Sequence, residues 1–183
     1  MAKPKPRCFW CGDDPLYVAY HDEEWGVPVH DDRLLFEQLI LEGAQAGLSW
    51  ITVLKKRAHY RKAFANFDVR KVSRYDAKKV DALMDNPGVV RHRGKLESVA
   101  LNARAFLAIQ EEHGSFAKWL WAHVDEKPVV RRSRSHQPSS PLAEKISKDL
   151  KKRGMKFVGP TIIQAYLQAV GVLDEHLPGC WKA

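Results

Sequence analysis

Residues 151–163 of this 183-residue chain read KKRGMKFVGPTII, and this stretch decides the predicted fold. It contains a basic helix end, a short turn with Gly154 and Gly159, and an apolar helix that begins at Pro160 or Thr161. Glycines expose backbone N–H groups, and the N-terminus of a helix binds phosphate without reading a base sequence. The pattern therefore predicts a helix-hairpin-helix, with an ordinary turn between two helices as the alternative.

A second turn of similar composition, NPGVVRHRGK at residues 86–95, carries Arg91, Arg93 and Lys95. It also suits contacts with phosphate. The first turn fits a hairpin better because of its FVGPT sequence, so we place the helix-hairpin-helix at about 142–171.

The rest of the chain is helical in pattern, with Gly, Pro and Asn separating segments of roughly 10 to 18 residues. We predict an all-α fold that forms one unit over residues 1–183, with Asp32 and Ser49 as helix N-caps. The predicted helices cover residues 14–25, 32–44, 49–65, 69–73, 76–85, 94–112, 115–123, 140–152 and 160–171. The basic, proline-flanked segment 127–141 is predicted to be a mobile loop in solvent, although its arginines also suit phosphate contacts.

The chain is basic: 30 Lys and Arg residues against 22 Asp and Glu give a net charge of +8. This suggests a polyanionic partner, although charge that serves only solubility explains the balance equally well. No apolar run approaches the roughly 18 residues of a membrane helix. The first residues lack an apolar signal region, so we expect a reduced, cytoplasmic protein, and nothing demands more than a monomer.

Two pairs of possible metal ligands lie at opposite ends of the chain, Cys8 with His21 and His176 with Cys180. Their spacing and their composition are typical of a structural zinc site, which here would join the two ends of the chain. Cys11 forms a C-x-x-C with Cys8, so either thiol suits the first ligand position. Three cysteines, an odd number, argue against a disulfide framework. Ordinary thiols and surface histidines are the alternative.

A glutamate is predicted among apolar side chains in LLFEQLILEG, residues 34–43. Leu35, Leu39 and Glu42 share one helix face, whereas Glu37 falls on the opposite face and is expected in solvent. A buried carboxylate must be neutralised, hydrogen-bonded or matched by a cationic ligand. The alternative is that Glu42 reaches solvent at the helix end.

Aromatic residues are concentrated near this acid and near the first pair of metal ligands. They are Trp10, Tyr17, Tyr20, Trp25 and Trp50. Rings around an acid form a pocket for a flat, electron-poor or cationic ring, which is held by stacking and cation–π attraction. For each ring taken alone, core packing is the alternative.

A set of motifs keeps its order along nearly the whole chain. The motifs are Cys8, DPLY at 14–17, YHDEEWG at 20–26, LEGAQAGLSW at 41–50, RHRGK at 91–95, FVG at 157–159 and His176-x3-Cys180. Together they resemble the Tag family, the 3-methyladenine DNA glycosylase I enzymes. The resemblance implies a helix-hairpin-helix glycosylase with one structural zinc ion that excises 3-methyladenine from alkylated double-stranded DNA.

The resemblance also implies roles for individual residues. The zinc ligands of the family match Cys8, His21, His176 and Cys180, which leaves Cys11 without a role. The base site matches Glu42, with Tyr20 and Trp50 around it and Trp10 and Tyr17 completing the pocket wall. The turn that enters the gap left by the extruded nucleotide matches Gly47 and Leu48. From the hairpin we assign Gly154, Lys156, Val158, Gly159 and Thr161 to DNA binding.

The catalytic role falls to Glu42 in this interpretation. N3-alkylated adenine is electron-poor and formally cationic, so an anionic Glu42 favours it over normal adenine. The family is understood to lack the aspartate that related glycosylases place after the hairpin, and Asp174 and Glu175 are expected to serve the zinc end. The rival is a non-catalytic helix-hairpin-helix module with a zinc clip. A zinc hydrolase fits badly, because four protein ligands leave no open position for water.

Overall fold

The computed structural model describes residues 5–135 and 137–183, and it is mostly helical, as predicted. Its α-helices are α1 Pro15–Glu23, α2 Asp32–Gln45, α3 Trp50–Ala63, α4 Val69–Val72, α5 Ala77–Met84, α6 Arg93–His113, α7 Phe116–Trp121, α8 Pro141–Lys152 and α9 Pro160–Ala169. Each predicted helix is present, and its ends differ from the prediction by at most two residues. Within the described segments, no helix combines the length and the apolar character that a membrane crossing requires.

The start of α2 differs from the prediction. Asp31, not Asp32, caps the helix, because its carboxylate accepts a hydrogen bond from the N–H of Leu34 at 2.9 Å. The Asp32 carboxylate instead accepts bonds from the first two N–H groups of α7, at 2.8 and 2.9 Å. It therefore ties the beginnings of two helices together. Ser49 holds the predicted position before α3.

Helix α2 lies at the centre of the molecule. Every residue from Leu35 to Ala44 is buried, and the helix packs against α3, α6, α7 and α9. Because this part of α2 has no solvent face, the prediction that Glu37 is a solvated acid was wrong. Two arginines of α3 neutralise the Glu37 carboxylate, with Arg57 Nε at 2.5 Å and Arg61 Nη2 at 2.7 Å.

Two short parallel strands, β1 Val129–Val130 and β2 Leu173–Asp174, join the segment before α8 to the segment after α9. The sequence did not predict them, because two residues are too few to show an alternating pattern. Strand β1 lies inside the predicted loop 127–141. Position 136 of that loop lies outside the described residues, and the mobility of the loop stays a prediction.

Candidate functional site

A cavity of about 200 Å³ opens between the N-terminal segment and helices α1, α2, α3 and α9. Its wall consists of Trp10, Tyr17, Tyr20, Trp25, Glu42, Gln45, Trp50, Ala165 and Gln168. All five residues that the sequence predicted for a base site line this one cavity. Its volume equals that of roughly six or seven water molecules at about 30 Å³ each, which suits one flat heterocycle.

Trp25, one of the aromatic rings that the sequence predicted around the acid, also lines the cavity. The remaining wall residues had no predicted role, and they are Gln45, Ala165 and Gln168. Helix α9 carries Gln164 and Gln168 one turn apart on an otherwise largely apolar helix, and both side chains are buried. A polar residue on an apolar helix face is the same signal that singled out Glu42, and it could have identified Gln168.

The aromatic rings of the wall contact one another at tilted or edge-on angles. The ring centroid of Trp10 lies 4.9 Å from that of Trp25 and 5.2 Å from that of Tyr17. The centroids of Tyr20 and Trp50 are 5.3 Å apart. These contacts hold the rings in place before a ligand enters, which lowers the ordering cost of binding.

Glu42 is the acid of this wall, and its predicted burial is confirmed at 4% exposure. Its Oε1 accepts a hydrogen bond from Nε2 of Gln38 at 3.1 Å, and the same amide lies 3.4 Å from the Tyr20 hydroxyl. No lysine or arginine in the described part of the chain pairs with it. Burial raises the pKa of Glu42 to about 8, because the charged form loses its hydration. A carboxyl group in this state is suited to a cationic ligand.

Ion pairs fix the spacing of the three helices that carry this wall. Arg57 of α3 bonds to Glu37 of α2, and its Nη1 lies 2.6 Å from Glu24, directly after α1. Helices α1, α2 and α3 carry the acid and three of the rings. These charge-assisted bonds therefore hold together the three helices that carry most of the cavity wall.

The turn between α2 and α3 exposes Gly47 and Leu48. Gly47 has a φ of +78°, which favours glycine, and Leu48 is 41% exposed. Lys95 of α6 holds the turn, because its Nζ donates to the carbonyl oxygens of Ala44 at 2.9 Å and Ala46 at 2.5 Å. Its ammonium group thus stabilises the C-terminal end of α2. Lys95 therefore serves the protein interior, although the sequence placed it in a second turn suited to phosphate.

The predicted hairpin is the turn 153–159 between α8 and α9. Gly154 ends α8 at a φ of +89°, and its N–H donates to the carbonyl of Lys151 at 3.0 Å. Asn102 of α6 binds both the N–H and the C=O of Lys156, each at 2.9 Å. The backbone N–H groups of Gly154 and Lys156 are therefore used inside the protein.

The free donors of the turn lie at the start of α9. Over residues 5–135 and 137–183, no acceptor pairs with the backbone N–H of Val158, Gly159 or Thr161. Such a helix start is suited to an anion. Gly43 lets the turn approach α2 closely, because a Cβ there would lie 3.3 Å from both Cβ and O of Phe157. The turn 153–159 is thus held against the helix that carries the acid.

Three of the four predicted metal ligands lie together. The ligand atoms of Cys8, His21 and Cys180 are all within 4.8 Å of one another, and the three residues are buried. This cluster could hold a metal ion that joins the two ends of the chain. Burial raises the pKa of the Cys8 thiol to about 12, so its thiolate needs a cation beside it at neutral pH. Cys11 lies outside the cluster, with its Sγ 3.2 Å from the Cys8 carbonyl oxygen.

His176, the fourth predicted ligand, adjoins this cluster. Its ring centroid is 5.4 Å from that of His21, and its buried Nε2 has no hydrogen-bond partner in the part of the chain that the structure describes. Both histidines bond through Nδ1 to a carboxylate, His21 to Asp22 at 2.8 Å and His176 to Asp174 at 2.7 Å. This arrangement turns both Nε2 atoms towards the cysteine cluster, where that of His21 lies 3.5 Å from Cys180 Sγ and 3.4 Å from the N–H of Cys8.

Comparisons with known proteins agree with one another. The family model described as methyladenine glycosylase matches residues 10–183. The DNA-3-methyladenine glycosylase 1 of Escherichia coli is 48% identical over 177 residues, 95% of each chain. A crystal structure of 3-methyladenine DNA glycosylase I has a TM-score of 0.93 at 47% identity and covers 96% of this chain and 98% of its own. A structure on 3-methyladenine recognition by the Staphylococcus aureus enzyme has a TM-score of 0.92 at 40% identity, with 96% and 95% covered.

Proposed function

This chain belongs to the methyladenine glycosylase family, and on that premise we infer that it is a base-excision repair enzyme. It extrudes 3-methyladenine from alkylated DNA and hydrolyses the N-glycosidic bond, which releases the free base and leaves an abasic site. The observation that carries this assignment is Glu42, a buried acid that no lysine or arginine of residues 5–135 and 137–183 neutralises, in an aromatic cavity that suits one flat heterocycle.

The substrate itself supplies much of the reactivity. Alkylation at N3 makes adenine formally cationic, so the base leaves with the bonding electrons while positive charge develops on the sugar carbon, to which water then adds. The enzyme therefore needs recognition of the leaving base more than a strong nucleophile. Normal adenine gains less binding free energy in the cavity than 3-methyladenine does. Both bases lose roughly the same few kcal/mol of stacking when they leave the duplex.

We propose that Glu42 accepts hydrogen bonds from the base edge and supplies the opposite charge. Gln38 binds Oε1, which leaves Oε2 for the base. A cation beside the carboxyl group lowers its raised pKa, because the two charges stabilise each other. The surrounding rings add stacking and cation–π attraction to the same cationic base.

Base release is expected to increase with pH up to about 8. Below that pH the Glu42 carboxyl is mostly protonated in the free enzyme, and binding a cationic base removes its proton. The facing tyrosines do not titrate there, because burial raises the pKa of Tyr17 to about 12 and that of Tyr20 well above its ordinary value. Log kcat/KM plotted against pH should rise and level off near pH 8, whereas Glu42→Gln should give a flat profile. A flat wild-type profile would contradict ionisation of this group.

We propose that the turn between α8 and α9 is a helix-hairpin-helix that holds the DNA backbone. Its support is the group of N–H donors at Val158, Gly159 and Thr161, which have no acceptor among the described residues and lie at a helix start where phosphate oxygens bind well. Lys156 adds an exposed ammonium group, while Gly154 contributes through its conformation alone. These contacts do not depend on base sequence. Sequence-independent binding is required because the damage occurs at any adenine.

The Gly47–Leu48 turn is the proposed element that enters the duplex. An apolar side chain that is exposed on a turn held by a buried lysine is a rigid wedge. Filling the gap left by the extruded nucleotide would replace part of the lost stacking.

DNA binding and base binding are expected to respond differently to salt. If about three phosphates are contacted, raising salt from about 50 to 200 mM should weaken DNA binding roughly 40-fold, because counterions are released. Binding of free 3-methyladenine, followed by quenching of tryptophan fluorescence, should hardly change. Lys156→Ala should reduce the salt slope by about 1. Equal salt dependence for the two ligands would argue against this backbone grip.

We propose that the metal is one structural zinc ion held by Cys8, His21, His176 and Cys180. The support is a buried set of two thiols and two imidazoles whose Nδ1 atoms already bond to carboxylates. Bound there, zinc supplies a link between the two ends of the chain. With four protein ligands it has no open position for water, which argues against a zinc hydrolase.

The direct test is release of free base from methylated duplex DNA, with 3-methyladenine and 7-methylguanine quantified separately. We expect selective release of 3-methyladenine. The rival, a non-catalytic DNA-binding module, predicts that folded protein binds DNA, releases no base and shows no tryptophan quenching with free 3-methyladenine.

A further inference from the structure

Gln168 is a wall residue whose amide has a fixed orientation. Its Nε2 donates to Oε2 of Glu175 at 2.6 Å, and a carboxylate in this position accepts hydrogen bonds. The NH2 group of Gln168 therefore faces Glu175, and its carbonyl oxygen faces away. No donor from the described residues bonds to that oxygen. It is also not one of the fully buried polar atoms that lack a hydrogen-bond partner. The oxygen therefore keeps some exposure, and because Gln168 lines the cavity, we take the oxygen to face it.

Glu175 is itself well anchored. Gln164, one turn before Gln168 on α9, donates to the same oxygen at 3.3 Å, and Nη1 of Arg131 lies 3.2 Å from Oε1. The expectation that Glu175 serves the metal end was therefore wrong, because its carboxylate turns towards α9 and Arg131. Asp174 alone of that pair bonds to a predicted metal ligand, His176. Glu175 holds a pocket amide in one of its two possible orientations.

We propose that Gln168 is a specificity-determining residue, whose carbonyl oxygen accepts a hydrogen bond from the exocyclic amino group of the bound base. This inference rests on the proposed function. With the Glu42 carboxylate, it gives the cavity two acceptors for the amino group of an adenine. A methylated guanine carries a carbonyl oxygen at the same ring position. That oxygen and the carbonyl oxygen of Gln168 are both acceptors, so neither would receive a hydrogen bond. The fixed amide prevents Gln168 from turning to accommodate it.

The test is the ratio of kcat/KM for release of 3-methyladenine to that for 3-methylguanine from methylated DNA. In Gln168→Leu this ratio should fall about tenfold, since one hydrogen bond is lost for adenine and one repulsion is removed for guanine. A substitution that only damaged the structure would lower kcat/KM for both bases and leave their ratio unchanged. Gln168→Met, which keeps the length of the side chain and lacks the carbonyl, should behave in the same way if the leucine variant folds poorly.

Gln164→Leu is the matched control. It removes a buried glutamine from the same helix and a hydrogen bond to the same carboxylate, but Gln164 does not line the cavity. Its ratio should equal that of the wild type. An unchanged ratio in both folded Gln168 variants would overturn the inference while leaving the proposed function intact.

Binding of the two free bases separates this inference from the proposed function. Tryptophan quenching should show tighter binding of 3-methyladenine than of 3-methylguanine by the wild type, and Gln168→Leu should lose that preference. This outcome would support the role of Gln168 even if the wild type released no base from DNA. If neither base bound to folded protein, both proposals would fail together.

Discussion

Glu42→Gln is expected to lower kcat/KM for 3-methyladenine release by about 10- to 100-fold. The amide keeps the size of the side chain and one acceptor oxygen, so the loss measures the charge. A hydrogen bond to a charged group contributes roughly 1.5–3 kcal/mol, which corresponds to that range. The measurement is release of free base from methylated duplex DNA, with melting temperature and metal content recorded for the same sample. Wild-type release by the folded variant would remove Glu42 from the mechanism.

The same substitution should stabilise the protein at alkaline pH. The folded pKa of Glu42, about 8, lies above the unfolded value of about 4.3. The favourable contribution of Glu42 to the free energy of unfolding is therefore complete below about pH 4.3, and it is lost as the pH rises through about 8. Glu42→Gln should unfold with a free energy higher than that of the wild type by roughly a few kcal/mol at about pH 9. If Glu42→Gln loses activity and gains stability, then Glu42 is an acid that serves function at a cost in stability.

Glu37→Gln is the matched control from the same helix. Glu37 is equally buried, but two arginines neutralise it, so its loss removes the acid partner of Arg61 and one of the two acids that bond to Arg57. Breaking a fully buried pair costs roughly 3–5 kcal/mol, and the partial exposure of Arg61 reduces that cost here. At high pH, Glu42→Gln should therefore raise the free energy of unfolding, and Glu37→Gln should lower it. A similar change in both variants would show that burial of the carboxylate alone determines the effect.

These two glutamates also show how far the sequence predicts the structure. Helical periodicity correctly placed Glu42 on an apolar stripe, because that inference needs only neighbours along one helix. It failed for Glu37, because periodicity shows which residues share a face but not whether another helix covers that face. The covering arginines of α3 lie 20 and 24 residues further along the chain.

The same limit applies to the polar groups around the site. Glycines and a proline predicted the hairpin, yet only the structure shows that Asn102, 54 residues away, occupies the N–H of Lys156. Likewise, Lys95 resembled a phosphate contact in sequence, and the structure places its ammonium on the end of α2. Long-range partners decide which donors remain free, and a single sequence does not contain that pairing.

Cys180→Ser is expected to release the proposed zinc ion and lower the melting temperature by about 6–20 °C. The cluster joins residues that are distant in sequence, with His21 and Cys180 159 positions apart, so the unfolded chain would gain much freedom on loss of the proposed link. Loss of such a link costs roughly 3–5 kcal/mol, and each kcal/mol shifts the melting temperature of a chain of this size by about 2–4 °C. His176→Ala should act in the same direction. The measurements are calorimetry and zinc content per chain.

Cys11→Ser is the matched control, because Cys11 is also a buried thiol of the N-terminal segment but lies outside the cluster. It should keep one zinc per chain and a melting temperature close to that of the wild type. Below its own melting temperature, Cys180→Ser should still release 3-methyladenine selectively, because the proposed metal holds the chain ends and takes no part in the reaction. Full zinc occupancy and unchanged melting in Cys180→Ser would exclude the thiol as a ligand. Loss of selectivity in folded protein would instead show that the link also positions Trp10 and the neighbouring rings.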